Sequence, residues 1–112
     1  MTIQEMKTEK AYPVTHESND LALFGINDRN VYFKMFVPNC ANIARKADKG
    51  TYNAGLAHKA FYNVACYAAQ RYCAEFGGVW YEIFSVNDRK AVADYFMDNF
   101  IDHYTSNDYF WN

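Results

Sequence analysis

Proline and glycine are scarce here, two and five residues in a chain of 112. No proline interrupts residues 51–76, the longest stretch with helical periodicity. Cysteine is scarcer than any disulfide scaffold would need. Cys40, Cys66 and Cys73 are odd in number and match no disulfide or zinc framework. Cys66 and Cys73, on one expected helix, are separated by roughly 10 Å of rise, too far to bridge. All three read as buried thiols in a reducing cytoplasm. Excess charge is also missing: the net charge of -2 argues against a polyanion and against whole-surface nucleic-acid binding. No segment approaches a membrane span, and MTIQEMKTEK lacks the apolar run of a signal peptide.

Catalytic and metal signatures are absent as well. His16, His58 and His103 fall at no metal spacing, and there is no H-E-x-x-H or C-x-x-C. No nucleophile elbow or phosphate-binding glycine loop occurs. Gly77-Gly78 follows an expected helix, the wrong polarity for an anion site. His103 beside Asp102 is a dyad only on paper, because adjacent helical residues point about 100° apart. Neither metal nor cofactor is expected, and no enzymatic activity.

What the chain has is aromatic bulk. Hydrophobic residues make up 51% and aromatic residues 19%, enough for one ring-rich domain with rings left over for an interface. Residues 51–76 predict a central helix. Ala57, Phe61, Val64, Ala68 and Tyr72 form one apolar stripe, and Tyr62, Cys66, Ala69, Cys73 and Phe76 an adjoining one. Only a wedge around Lys59, Asn63 and Gln70 is polar. Thr51 or Asn53 would cap its start and Gly77-Gly78 its end. Such a helix packs on several sides, which predicts an all-α fold: three or four helices around this one in residues 21–112, with an extended arm at residues 1–20.

Other segments are less decided. LALFGI (21–26) reads as a short strand, a helical turn or an apolar segment on the core. Residues 31–37 fit a strand or part of a helix running from Asn30 to Lys46; helix is preferred, with a break near Pro38. VWYEIF (79–84) reads as an aromatic connector, with Trp80 and Phe84 covering one end of the core. Ser85-x-x-Asp88 has the form of a capping box opening a last helix over 86–104. Its expected buried arc is Val92, Tyr95, Phe96, Phe100 and Tyr104.

Gly50–Tyr52, Lys59–Phe61, Ala68–Tyr72 and Arg89–Ala93 carry a rhythm of Gly-Thr-Tyr, Lys-Ala-Phe, Ala-Ala-x-x-Tyr and Arg-x-Ala-Val-Ala. In these positions the chain resembles small helical proteins encoded by bacteriophages. The resemblance covers about residues 50–100. It implies a phage or mobile-element origin and a helical core, and it carries over no catalytic residue.

Three sets of residues are candidates for binding. Asp94, Asp98 and Asp102 line up at i, i+4, i+8, on the side of the last helix away from its expected apolar arc, as a solvated face or an acidic ridge for a basic partner. Tyr109, Phe110 and Trp111 should dock against the end of the central helix near Trp80, on a second subunit, or on a host protein. Arg45, Lys46 and Lys49 form a basic cluster that suits a helix C-terminus, and offer an alternative nucleic-acid contact. The functional expectation is a non-enzymatic phage accessory protein acting by protein–protein interaction in the host cytoplasm. Its leading specific form is an inhibitor of a CRISPR effector or restriction enzyme that occludes a nucleic-acid-binding surface. The alternative is a small nucleic-acid-binding or regulatory factor. The wide apolar arc of the central helix further suggests a homodimer.

Overall fold

The computed structural model describes residues 1–112, and every regular element is helical. The helices are α1 (Ile3–Met6), α2 (His16–Asn27), α3 (Arg29–Val31), α4 (Val37–Asp48), α5 (Ala54–Phe76), α6 (Trp80–Ile83) and α7 (Val86–Thr105). A π-helical turn, Tyr32–Phe36, joins α3 to α4. The radius of gyration is 13.5 Å, against ~13 Å for a single globule of this length.

α5 is the hub. Asn53 starts it by accepting the Leu56 N–H on its side chain, and Gly77 ends it with φ at 90° and its N–H on Cys73 O. Ala57, Phe61, Val64 and Ala68 are buried, as the first stripe requires. Its most extensive packing is with α7, and α2 lies across both. Small residues set that distance. A β-carbon on Gly25 of α2 would lie 2.8 Å from Phe96 Cζ and 3.5 Å from Ala68 Cβ, so only glycine allows the approach. Around this crossing the rings of Phe36, Phe61, Phe96 and Phe100 are fully buried, with centroids 5.2–6.0 Å apart along the chain Phe96–Phe36–Phe61–Phe100.

Residues 31–37 are helical, and the expected break at Pro38 does not occur. An interior proline removes a donor and crowds the carbonyl four residues back. Here that residue, Lys34, lies inside the wider π turn, where Val37 donates its N–H to Tyr32 O. The helix therefore runs on from Arg29 to Asp48. It closes on Gly50 at φ 76°, with Thr51 N–H on Lys46 O and Gly50 N–H on Ala47 O. LALFGI is likewise helical, in the body of α2.

The N-terminal segment is shorter than expected as an arm. Thr15 and Ser18 form a reciprocal cap, so residues 16–20 already belong to α2. Upstream, Met6 is fully buried and its carbonyl accepts the Tyr52 hydroxyl.

α7 opens on the expected Ser85–Asp88 box. Its buried arc needs one correction. Val92, Phe96 and Phe100 face inward, but Tyr95 is exposed, because the inward face is centred on positions 89, 92, 93, 96, 97, 100 and 101. The helix then reverses. Asn107 takes a left-handed φ of 58°, Asp108 N–H reaches His103 O, and Asn107 N–H reaches Tyr104 O. This turn folds the last residues back on the body.

Candidate functional site

The acidic residues of α7 do not form a uniform free ridge. Asp94 accepts the Tyr12 N–H at 2.9 Å and lies 2.9 Å from His58 Nε2. The carboxylate accepts in this contact, and the Lys90 carbonyl lies 3.3 Å from the same ring nitrogen. The Tyr12 ring stacks on the His58 ring, and the ammonium groups of Lys10 and Lys90 lie 5.0 and 5.3 Å from its centroid. Further along, the Thr15 hydroxyl donates to Asp88 at 2.7 Å. The segment from Lys7 to Thr15 is thus strapped across α7. Asp98 pairs with Lys7 at 3.5 Å between two half-exposed side chains, and Asp102 is exposed. A polar pocket of about 160 Å³ remains between strap and helix, lined in part by Lys7, Lys10, Asp94 and Asp98.

Tyr109, Phe110 and Trp111 lie on the chain's own fold. Trp111 is 7% exposed, its ring 5.1 Å from Phe100. Phe110 stacks on Phe36 at 5.7 Å, and Tyr109 on Tyr104 at 5.7 Å. The docking place differs from the expected one near Trp80. The reversal at Asn107 puts the tail over the C-terminal turns of α7 and the π turn, while Trp80 lies near the start of α7. Beneath the tail, the Tyr104 hydroxyl donates to Asp48 at 2.7 Å. That bond, reinforced by burial and the Asp48 charge, pushes the phenol up to about 12.

Arg45, Lys46 and Lys49 are exposed at the end of α4, where their charges face the last carbonyls of the helix. Lys46 also borders a pocket of about 210 Å³ floored by Ile43 and Ala57, between α4 and the start of α5. On the same continuous helix Arg29 and Lys34 flank Phe33, whose ring is 62% exposed.

Two features have no counterpart in the sequence reading. One is an apolar surface at the corner where α5 gives way to α6 and α7. Phe76 is 63% exposed and Tyr81 59%, and Val79, Ile83 and Val86, close to them in sequence, are exposed too. Apolar spacing alone puts Phe76 on the second stripe of α5. It lies on the last turn of α5, where its ring meets those of Phe24 and Tyr72. The other is Arg89, buried on the inner face of α7. Its Nη1 donates to the Tyr62 hydroxyl at 2.8 Å and its guanidinium lies 4.9 Å from the Trp80 ring. Burial and the neighbouring Cys66 sulfur raise the Tyr62 phenol above its ordinary range. The signal for Arg89 was available, since it falls on the same helical stripe as Val92, Phe96 and Phe100.

The cysteines are unbridged, with Cys40 and Cys73 buried and Cys66 half-buried. Burial pushes the Cys40 and Cys73 thiols up, away from the reactive thiolate. No three His, Cys, Asp or Glu side chains gather at metal-binding distance, and no helix is long and apolar enough to cross a membrane. Searches of protein-family models, curated proteins and solved structures find nothing that matches this chain.

Proposed function

We propose that this chain is a non-enzymatic phage accessory protein that works in the host cytoplasm by binding another protein. One observation carries the reading: the apolar surface of Phe76, Val79, Tyr81, Ile83 and Val86. A small helical domain gains nothing from leaving these side chains in water, at roughly 25 cal/mol per Å². Exposed apolar side chains that gather into one patch mark interaction sites. Inhibition of a bacterial defence complex, a CRISPR effector or a restriction enzyme, is the specific form the phage resemblance supports. With Asp94 strapped down, the acidic contribution to such a contact falls to Asp98 and Asp102, so the apolar corner leads. A homodimer through the same corner is the other use of this surface.

The test is plating efficiency of a targeted phage on hosts that carry a defence system and express the chain. Wild type should restore plating, and Phe76→Asp with Tyr81→Asp should not, while both proteins fold equally well. Failure to restore plating against every system tried removes the defence role. Equal activity of the double variant removes the surface.

A second reading has its own observation. Arg29, Lys34, Arg45 and Lys46 are exposed on one continuous helix that also presents Phe33, and Lys49 is exposed just past its end. Cations interleaved with an exposed aromatic suit a single-stranded nucleic acid. Binding to a labelled oligonucleotide that falls steeply with salt, and is lost in Phe33→Ala, would favour it over the first.

A further inference from the structure

Arg89 is 7% exposed, yet no carboxylate of this chain lies within ion-pairing reach of it. Its sequence neighbour Asp88 is engaged elsewhere: its two oxygens accept the Thr15 hydroxyl and the Ser85 N–H. Nε donates to Phe84 O at 3.1 Å, and Nη1 donates to the Tyr62 hydroxyl at 2.8 Å and the Cys66 sulfur at 3.4 Å. The Trp80 and Tyr62 rings lie 4.9 and 5.6 Å from the guanidinium carbon. These contacts leave the donors of Nη2 without a bond inside the chain. The fully enclosed polar atoms that lack partners are Asn39 Nδ2 and Arg71 Nε. Arg89 Nη2 is not one of them, so its free donors keep an opening to the outside.

A buried cation is ordinarily matched by a negative charge, since desolvating it alone is costly. Aromatic faces offset part of that cost here. They do not supply a charge-assisted acceptor for Nη2. Trp80, which lies against Arg89, is in edge contact with Tyr81 at 5.4 Å. The guanidinium therefore lies against α6, the helix that carries the exposed Tyr81 and Ile83. Arginine and aromatic residues inside an apolar rim are the composition of binding hot spots. Glu75 and Glu82, each next in sequence to one of these aromatic residues, are exposed and would repel a run of acids, so the surface suits a single carboxylate among apolar side chains.

Resting on the interaction reading above, we infer that Arg89 is the anchor of that surface and takes one Asp or Glu side chain of a partner protein, whose flanking apolar residues cover Tyr81, Ile83 and Val86. A carboxylate reaching Nη2 completes the ion pair that the chain leaves open. The contact is directional as well as charged.

A displayed random peptide library panned on the full chain tests this. Enriched peptides should share one Asp or Glu next to aromatic or aliphatic residues. A synthetic peptide of the most enriched sequence should lose about tenfold in affinity or more on Asp→Asn or Glu→Gln, the worth of a charge-assisted hydrogen bond. That loss should shrink to less than about threefold on Arg89→Gln, because the two changes remove one interaction. If Arg89→Gln fails to fold, Arg89→Lys and the peptide-side change on wild type still decide. Enriched peptides without an acid, or an acid whose neutralisation changes nothing, overturn the anchor role. The interaction reading survives that outcome if Tyr81→Asp abolishes peptide binding. Self-association that Arg89→Gln dissolves makes the occupant a second copy and overturns the proposed partner. A library that yields no binder overturns both readings.

Discussion

His58 Nε2 on α5 lies 2.9 Å from Asp94 Oδ1 on α7, beneath a chain segment that reaches the same carboxylate from above through the Tyr12 N–H. Two helices and the N-terminal strap are thus joined at one carboxyl group. His58 and Asp94 have only 13% and 20% of their side chains exposed, so water replaces neither contact cheaply.

Asp94→Ala leaves the Tyr12 N–H unpaired and His58 Nε2 with only the Lys90 carbonyl at 3.3 Å, and should cost about 1–3 kcal/mol in urea melts. The strap should also open, so that trypsin cuts after Lys7 and Lys10 faster than in wild type. Asp102→Ala, on the exposed part of the same helix, should stay within about 0.5 kcal/mol. Equal behaviour of the two variants would mean that the strap is not held at Asp94.

Phe61 is fully buried against Phe36 and Phe100. Phe61→Ala should cost roughly 3–5 kcal/mol, and Lys59→Ala, on the exposed wedge, less than about 0.5 kcal/mol. Similar small losses in denaturant melts would contradict α5 as the hub.

Replacing a mid-helix glycine with alanine usually gains about 1 kcal/mol of helix propensity. At Gly25 the new β-carbon would meet Phe96 Cζ at 2.8 Å, on a ring that is fully enclosed and wedged against Phe36. Gly25→Ala should therefore lose stability, by about 1–2 kcal/mol after the propensity gain. A rise in melting temperature would show that α2 can move aside.

Deleting residues 108–112 uncovers Phe36 and Phe100 and removes Trp111 from its seat. The melting temperature should fall by about 4–8 °C for each kcal/mol lost, while binding at the Tyr81 corner persists. Unchanged stability with lost binding would return the tail to a partner-facing role.

The raised Tyr104 phenol gives a pH signature. An unfolded tyrosine titrates near about 10, and in the fold the Asp48 bond holds the proton up to about 12. The folded group keeps its proton longer, so its stabilisation is whole below the lower value and is lost as pH climbs toward the upper one. Wild type should lose stability across that window more steeply than Tyr104→Phe, in melts taken at stepped alkaline pH. Parallel curves would mean the bond contributes nothing in solution.

Period and caps made much of the fold readable. The 3.6-residue spacing of Ala57, Phe61, Val64 and Ala68 located α5, and Asn53, Gly77 and Ser85 located its end points and the next start. Pro38 misled, because a π turn is a local repair that no spacing announces. Surfaces were harder to read. Asp94 and Asp98 looked alike along the helix, and only partners distant in the chain distinguish them, His58 and the Tyr12 N–H for Asp94 and an exposed Lys7 for Asp98. Phe76 fitted an apolar stripe, but a stripe does not say where the neighbouring helices stop. Arg89 broke its stripe in plain view, which is the type of exception a periodicity argument tends to average away.

The strap also imposes an order in time. Tyr12 and Asp94 are 82 positions apart, and Thr15 finds Asp88 across 73. During synthesis residues 7–15 leave the ribosome well before α7 exists, so they have no carboxylate to bind while α2, α4 and α5 emerge. Met6 must wait in the same way, since Tyr52 comes 46 positions later. Residues 7–15 are therefore seated only once α7 has been made, although they were made long before it. A nascent chain stalled before residue 88 would carry an open N-terminal segment that proteases and chaperones can reach.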